Sequence, residues 1–360
     1  MKIILTGGGT AGHVVPNLAL VPHLAAKGYE IFYVGGKNGM EKALVEGEGI
    51  PYFGISSGKL RRYLSLKNVT DAFRVIKGGF GAAKILGRIK PDIVFSKGGF
   101  VVVPVVFAAR MRGIPVIIHE SDITVGLANK LCIPHAAKVC CVFPETIAQL
   151  PASKAVLTGT PIRDEIFKGS RIKAAEVCNF PQQKPVILIM GGSQGSVAVN
   201  NCVRQALDVL LAKFNIIHAC GAGNTDESIK KPGYLQFEYI SKNMGDFYAL
   251  ADLVVSRAGA NSIGEFLALN KPNILIPLSR KASRGDQILN AASFEKQGFS
   301  AVIDEDELNP QVLIDKISET FENRGKYASA MKKSESAGGI EQIIKLIEET
   351  VNNSKKRKSK

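Results

Sequence analysis

Apolar residues recur along this chain in short unbroken runs of strand length, separated by longer stretches in which apolar positions return every three or four residues. The runs fall near 2–6, 30–34, 92–95, 115–118 and 138–142 in the first half. They fall near 185–190, 215–219, 252–256, 273–276 and 300–303 in the second. A strand that is apolar throughout must be covered on both faces, and helices between successive strands supply that cover. The alternation therefore predicts an α/β fold with two doubly wound parallel sheets. Leu150-Pro151 to Thr160-Pro161-Ile162-Arg163 lacks strong helical periodicity and lies between the halves. It sets the expected domains at 1–162 and 163–351, followed by a basic disordered tail at 352–360. The last amphipathic helix, Ile340 to Val351, is placed in the second domain, with packing back on the first as the alternative.

Two strand-to-helix junctions are rich in glycine: Gly7-Gly8-Gly9-Thr10-Ala11-Gly12-His13 and Gly191-Gly192-Ser193-Gln194-Gly195-Ser196. The first precedes a helix with Pro16 near its first turn and Gly28 just past its end. Free N–H groups at such a helix N-terminus attract anionic groups, and two facing units of this kind are expected to enclose a cleft. Gly7, Gly9 and Gly12 also fit the dinucleotide pattern Gly-x-Gly-x-x-Gly. That reading requires an acidic residue at the end of the second strand. Glu30-Ile31-Phe32-Tyr33-Val34 runs instead into Gly35-Gly36-Lys37, with its acid at the beginning, so NAD(P) and FAD are disfavoured.

Length and composition narrow the picture further. A chain of 360 residues with 46% apolar content suits two ordinary domains. No charged segment followed by a sustained apolar stretch opens the chain, and the apolar run Phe100 to Ala109 is broken by Pro104 and too short to span a bilayer. The expectation is a protein with neither an export signal nor a membrane-spanning segment. Cys132, Cys140, Cys141, Cys178, Cys202 and Cys220 show no Cys-x-x-Cys spacing and read as buried reduced thiols. His13, His23, His119, His135 and His218 are scattered, so no metal site is expected. Asp304-Glu305-Asp306-Glu307 reads as a solvated loop before the helix that follows Pro310.

The net charge is +14, and Lys355, Lys356, Arg357, Lys358 and Lys360 account for five of those charges. The remaining excess still suits a polyanionic partner: nucleic acid, an anionic membrane or phosphorylated substrates. Sparse aromatic residues and the absence of a recognised binding motif argue against nucleic acid. Between Leu60 and Lys84, Leu66, Val69, Phe73, Ile76 and Phe80 recur at helical spacing among Arg61, Arg62, Lys67, Arg74, Lys77 and Lys84. This amphipathic helix with a basic flank either covers the first sheet or meets anionic lipid.

Seven motifs stand in order along the chain: Gly7 to Pro16, Lys97-Gly98-Gly99-Phe100, His119-Glu120-Ser121-Asp122, Gly159-Thr160-Pro161-Ile162-Arg163, Gly191 to Gly195, Ser256-Arg257-Ala258-Gly259-Ala260 to Glu265, and Asp286-Gln287. Together they resemble the MurG glycosyltransferases over essentially residues 1 to 350. The resemblance implies a GT-B fold of two Rossmann-like domains, the first holding mainly the acceptor and the second mainly the nucleotide-sugar donor. It implies transfer of N-acetylglucosamine from UDP-N-acetylglucosamine to the C4 hydroxyl of the N-acetylmuramoyl unit of lipid I. The anomeric centre is inverted and lipid II is made for peptidoglycan. It further implies peripheral attachment at the cytoplasmic face of the cell membrane, no cofactor and no obligatory metal. The implied partners are lipid I, an anionic membrane surface, and cell-wall and division proteins, with no nucleic acid.

Residue by residue, the resemblance makes His13 the candidate base, the alternative being that it orients its loop or binds an acceptor phosphate. Gly9, Gly98, Gly99 and Phe100 belong to the acceptor-side loops. Thr10, Ala11 and Gly12 are assigned to the donor side, with Arg163 offering its fork of donors from across the cleft and Ser193, Gln194 and Gly195 at the diphosphate. Glu265 takes the ribose hydroxyls, and Ala260, Asn261, Ser262, Ile263 and Gly264 line that pocket with backbone. Ile240 holds the uracil, and Gln287 reads the sugar hydroxyls. Ala11 stands where many members have Gly, and Ser121-Asp122 where many have Gln-Asn, which leaves the role of Asp122 open. A UDP-N-acetylglucosamine 2-epimerase shares the architecture and donor, but the motifs of the first half speak against it. A GT-B transferase with another acceptor is the nearer alternative. A non-enzymatic protein with a degenerate site is disfavoured because every expected position is filled.

Overall fold

The computed structural model describes residues 1–58, 66–192, 195–240, 243–281, 283, 285–334 and 339–358. The chain forms two compact units, Met1–Arg163 with Gly338–Lys360, and Asp164–Ala337.

The first unit is built on seven parallel strands: β1 (Lys2–Thr6), β2 (Glu30–Gly36), β3 (Tyr52–Ile55), β4 (Ile93–Ser96), β5 (Val116–Glu120), β6 (Lys138–Cys141) and β7 (Ala155–Leu157). Their spatial order is β3-β2-β1-β4-β5-β6-β7. Alternate residues of one strand serve opposite faces. Ile3 and Leu5 join Phe95 and Ile117 in one core, whereas Ile4 joins Val94 and Ile118 in the other. Helix α1 (Ala11–Ala26) covers the first face through Val14, Leu20 and Leu24. After α2 (Glu41–Gly47), helices α3 (Leu66–Ile89) and α4 (Val102–Met111) cover the second through Ala82, Leu86, Val102, Val105 and Val106.

The second unit carries six parallel strands, β8 (Val186–Met190), β9 (Asn215–Ala219), β10 (Tyr234–Phe237), β11 (Leu253–Ser256), β12 (Asn273–Leu275) and β13 (Ala301–Val302). Their order is β10-β9-β8-β11-β12-β13. In both sheets the winding reverses beside the first strand, between β1 and β4 and between β8 and β11. The chain leaving the carboxyl ends of those paired strands goes on in opposite directions across the sheet, and the region outside those ends is where open α/β sheets bind ligands.

The structure departs from the sequence reading in four places. Three strands, β3, β7 and β10, escape the pattern because they are short sheet edges whose residues are mostly half-buried. β7 falls inside the segment read as the link between the halves, while the boundary itself, after Arg163, lies one residue from the expected one. The C-terminal helix spans Gly339–Lys358 and belongs to the first unit, where Ile343, Ile347 and Val351, four residues apart, are buried against the β1 face. The segment 352–360 is therefore not a disordered tail within its described residues: the helix continues to Lys358, with the Lys355 ammonium 3.6 Å from Asp92. Finally, Glu305–Glu307 form a short 3-10 helix, and Glu305 is not solvated but paired with the buried Arg257. The helix after it begins at Pro310, capped by Asn309, whose Oδ1 accepts from the Val312 N–H at 3.0 Å.

Candidate active site

In the first unit the loops after β1 and β4 meet at the switch point. The Gly8 N–H donates to Gly98 O at 3.3 Å, and Gly99 lies directly against the Gly8 backbone. Gly98 and Gly99 have φ of +112° and +85°, a region that L side chains rarely enter, so this close approach depends on glycine. Phe100 packs its half-buried ring on the core beneath. Glu41, buried on α2, accepts from Gly36 N at 2.7 Å and from Gly9 N at 3.3 Å. One carboxylate thus pins the first glycine loop to the end of β2.

Thr10 stands at the N-cap position of α1 without a capping side-chain hydrogen bond, and Ala11, Gly12 and His13 form the first turn. The His13 Nδ1 lies 2.9 Å from Gly8 O and 3.3 Å from Thr10 Oγ1. A carbonyl can only accept, so Nδ1 carries the proton and Nε2 keeps a lone pair. That lone-pair edge lies beside Gly98. Burial pushes the proton affinity of His13 below the ordinary imidazole range; the Gly8 bond raises it, Lys97 lowers it further, and Asp122 and Glu41 raise it. The outcome is a neutral imidazole at neutral pH, as a base requires.

Behind His13 stands a buried polar cluster that the motif pattern touched without explaining. The Lys97 ammonium, at the end of β4, donates to His119 Nδ1 at 2.9 Å and to the Ser121 hydroxyl. His119 Nε2 in turn donates to Gly159 O at 2.9 Å. Glu120 is caged by the N–H groups of Ser121, Asp122 and Gly126 and by the Asn129 amide, at 2.9–3.2 Å. His119 is therefore a buried structural histidine, held well below the ordinary imidazole range by burial and by Lys97.

In the second unit Gly195 (φ +76°) presses against the Cys220 carbonyl at the end of β9. Ser193 and Gln194 lie outside the described residues. Ser196 caps the following helix, Val197–Lys213, and also accepts from Arg257 at 2.6 Å. Arg257, buried just after β11, donates as well to Ile276 O at 3.1 Å and pairs with Glu305, which accepts from Ser279 N at 2.8 Å. One guanidinium ties together the loops that leave β8, β11 and β12. Periodicity gave no sign of this brace, since neither Arg257 nor Glu305 sits at a position that spacing distinguishes.

Helix Ala260–Ala268 opens beyond β11. Ala260, Asn261 and Ser262 form its first turn, where N–H groups have no helical acceptor. Ile263 and Gly264 are different: the Ile263 N–H donates to Gly259 O at 3.1 Å, the Ile263 side chain is fully buried, and Gly264 is buried one residue further in. Both lie one turn into the helix. Glu265 Oε2 accepts from the buried Tyr248 hydroxyl at 2.8 Å. Ile240 is buried. The Gln287 side-chain oxygen accepts from Leu278 N at 3.1 Å, which leaves its amide group as donor. The donor-side residues thus divide, with Thr10, Ala11, Gly12 and Arg163 in the first unit and Gly195, Ile240, 260–265 and Gln287 in the second.

All six cysteines are buried free thiols, and burial pushes Cys132, Cys140 and Cys141 up to about 12, so they are inert as nucleophiles. Among the described residues no group of three or more His, Cys, Asp or Glu is placed to hold a metal, and no helix is long and apolar enough to cross a membrane.

Two parallel sheets with glycine loops at their switch points and a carboxylate-bearing helix after β11 define a protein of two Rossmann-like domains of the GT-B type. Residues 3–141 match the glycosyltransferase family 28 N-terminal domain and residues 186–349 the family 28 C-terminal domain. The UDP-N-acetylglucosamine–N-acetylmuramyl-(pentapeptide) pyrophosphoryl-undecaprenol N-acetylglucosamine transferase of Clostridium botulinum strain Hall is 58% identical over 347 residues, covering 96% of this chain and 98% of that one. The protein of the same name from Lachnospira eligens is 56% identical over 97% of this chain and 99% of its own. The crystal structure of Acinetobacter baumannii MurG superposes with a TM-score of 0.75 at 27% identity, covering 97% and 99% of the two chains. The chain belongs to this MurG family of N-acetylglucosamine transferases. A UDP-N-acetylglucosamine 2-epimerase from Neisseria meningitidis shares the fold alone, at a TM-score of 0.68 and 13% identity.

Proposed function

We propose that the protein transfers N-acetylglucosamine from UDP-N-acetylglucosamine to the C4 hydroxyl of the N-acetylmuramoyl unit of lipid I, with inversion, producing lipid II for peptidoglycan. The observation that carries the catalytic part of this reading is His13, a neutral imidazole with Nδ1 committed to Gly8 O and Nε2 available at the switch point of the first unit. In the transfer, the bond from the acceptor oxygen to the sugar C1 forms as the bond from C1 to the phosphate oxygen breaks. The acceptor proton goes to His13 Nε2, and the electron pair leaves with UDP. The glycine loop after β8 and the helix behind it meet the diphosphate, with Ser193, Gln194 and Gly195 as its contacts. Arg163 adds positive charge for the leaving group. Glu265 binds the ribose, the first-turn backbone of Ala260, Asn261 and Ser262 lines its pocket, Ile240 bounds the uracil, and Gln287 reads the sugar. Neither a cofactor nor a metal is assigned a role, so chelation is expected to leave turnover intact.

The acceptor is a lipid, and the first unit offers a surface suited to one. Ile76 and Phe80 on α3 are 57% and 76% exposed, and Phe107 and Met111 on the adjoining α4 are 42% and 86% exposed. Exposed Lys77, Lys84, Arg88 and Arg110 stand on the same two helices, with exposed Arg112 just past the end of α4. Of the two roles open to the amphipathic stretch, α3 divides them: Ala82 and Leu86 cover the sheet, while Ile76 and Phe80 face outward. Arg61 and Arg62, and the side chains of Leu66, Lys67, Val69 and Phe73, lie outside the described residues. Exposed apolar residues and cations on the same helices suit the cytoplasmic leaflet, where each nearby Lys or Arg contributes about 1 kcal/mol. Attachment there would place the enzyme beside cell-wall and division proteins.

The experiment is an assay with labelled UDP-N-acetylglucosamine and a short-chain lipid I analogue, following disaccharide and UDP together, with a control lacking acceptor. Acceptor-dependent disaccharide is expected. UDP release with a rearranged sugar and no acceptor would assign an epimerase instead, and donor binding without turnover would assign another acceptor.

A further inference from the structure

Glu41 is a carboxylate only 2% exposed, and the transfer reaction gives it no task. Burying a charge is costly unless polar partners meet it, and the chain around this one is shaped to receive it. A Cβ on Gly8 or Gly39 would collide with the carboxylate, so glycine at these positions makes its room. Its two oxygens act separately: Oε1 accepts from Gly36 N at 2.7 Å and Oε2 from Gly9 N at 3.3 Å. The Gly9 N–H and the Gly8 carbonyl belong to one trans peptide unit, so the two groups point in opposite directions. The carbonyl end of that unit accepts from His13 Nδ1 at 2.9 Å. Carboxylate, peptide and imidazole are thus linked in series.

We propose that Glu41 is a positioning residue that acts on His13 through the Gly8–Gly9 peptide: by accepting the peptide N–H it fixes which way the unit faces, keeping the Gly8 carbonyl on Nδ1 and the Nε2 lone pair free. A peptide between two glycines meets little steric resistance to turning over, and Gly9 already sits at φ +85°. Turning over would aim the Gly8 carbonyl oxygen at the carboxylate, setting two acceptors against each other. A charged acceptor also polarises the peptide and strengthens the bond that its carbonyl makes to His13. The preceding peptide is held by neutral groups instead: Gly7 O accepts from the Tyr33 hydroxyl at 2.9 Å, and Gly8 N donates to Gly98 O at 3.3 Å. With the Gly8 carbonyl turned away, the Thr10 hydroxyl, 3.3 Å from Nδ1, can donate to a bare Nδ1. The ring proton would then sit on Nε2, the edge that has to take the proton of the acceptor hydroxyl.

The inference rests on His13 as the base only for its kinetic consequence. The test uses full-length protein with nitrogen-15-labelled histidine rings, in which NMR tells a protonated ring nitrogen from a bare one, at a pH where His13 is neutral and with its resonances assigned by His13→Gln. Glu41→Gln fits the same glycine cradle but carries a single acceptor oxygen. With that oxygen on Gly36 N, the nearer partner, the amide turns an N–H toward the Gly8–Gly9 peptide and favours the flipped carbonyl. In the unaltered protein the proton is expected on Nδ1. In Glu41→Gln a major share is expected on Nε2, and kcat for disaccharide formation should fall at least about tenfold, with UDP affinity unchanged because the uracil and ribose contacts are assigned to the second unit. If the glutamine variant does not fold, Glu41→Ala removes the carboxylate and carries the same test. An Nδ1–H form kept intact in a folded variant would overturn the proposal, whatever the rate does. A proton moved to Nε2 with kcat unchanged would uphold Glu41 and remove His13 as the base, so the two readings fail separately.

Discussion

Removing Glu265 tests the donor side most directly. Its carboxylate leaves helix Ala260–Ala268 one and a half turns from the N-terminus and is held by the Tyr248 hydroxyl at 2.8 Å. Tyr248 is itself fixed, buried with its ring edge-on to Phe266 at 5.9 Å. A ribose bound there gives its hydroxyl hydrogens to a charged acceptor that is already oriented. Hydrogen bonds to a charged group contribute about 1.5–3 kcal/mol, equivalent to about tenfold to 150-fold in affinity. Glu265→Ala should therefore raise the donor KM by at least about tenfold while the acceptor KM stays unchanged, because the lost contact is made equally in the ground and transition states. Tyr248→Phe leaves the carboxylate in place but removes a donor that orients it, and should raise the donor KM by about two- to tenfold. The assay is steady-state disaccharide formation at saturating acceptor with UDP-N-acetylglucosamine varied, paired with calorimetric binding of UDP. If donor KM and UDP affinity are both unchanged in Glu265→Ala, Glu265 has no part in the nucleotide site.

Three further outcomes are expected. Arg257→Met should lower the melting temperature sharply, because one member of a buried ion pair is lost at a cost of about 3–5 kcal/mol; adding Glu305→Gln should recover part of it in differential scanning calorimetry. Replacing Ile76 and Phe80 together by Ser should reduce sedimentation with anionic vesicles while leaving turnover of a short-chain soluble acceptor intact, since neither side chain contributes to the core. Stability should fall as pH drops below about 6.5, because burial lowers the folded-state proton affinities of His13, His119 and His218, the last to about 3. Below that pH the unfolded chain binds more protons than the folded one, so ΔG of unfolding from urea titrations should decline with falling pH, and His218→Gln should flatten the slope.

The central strands were legible because each carries an unbroken run of at least three buried apolar residues, a pattern that a doubly covered parallel strand imposes on any sequence. β1, β4, β8 and β11 are of this kind, and the glycine loops after β1 and β8 follow from the same local logic, as a backbone that must turn sharply into a helix selects glycine. The edge strands were not legible. Tyr52–Ile55, Ala155–Leu157 and Tyr234–Phe237 are three or four residues long and only partly buried, so pairing with a neighbour, rather than their own composition, makes them strands. The seven ordered motifs marked candidate site residues by kind, His13 and Glu265 included, but said nothing of contacts such as that of Tyr248 with Glu265.

What the sequence by itself determined is the α/β class, the two halves, the amphipathic character of Leu66–Ile89 and the final helix, and the chemistry offered at each strand end. What only the tertiary structure decided is where long-range partners meet. Ile343, Ile347 and Val351 spell out an apolar stripe but not which of two sheets it covers, and docking on β1 settles that the chain returns to its first unit. Glu305 reads as one acid in a solvated run until folding brings Arg257 beside it, 48 residues away in sequence. Lys97 reads only as the first residue of the motif Lys97-Gly98-Gly99-Phe100 until β4 and β5 pair in register and set it between His119 and Ser121. The reason is common to all three: periodicity records which side of an element is buried, whereas the partner and the charge state of a buried polar group are set by what the fold places against it.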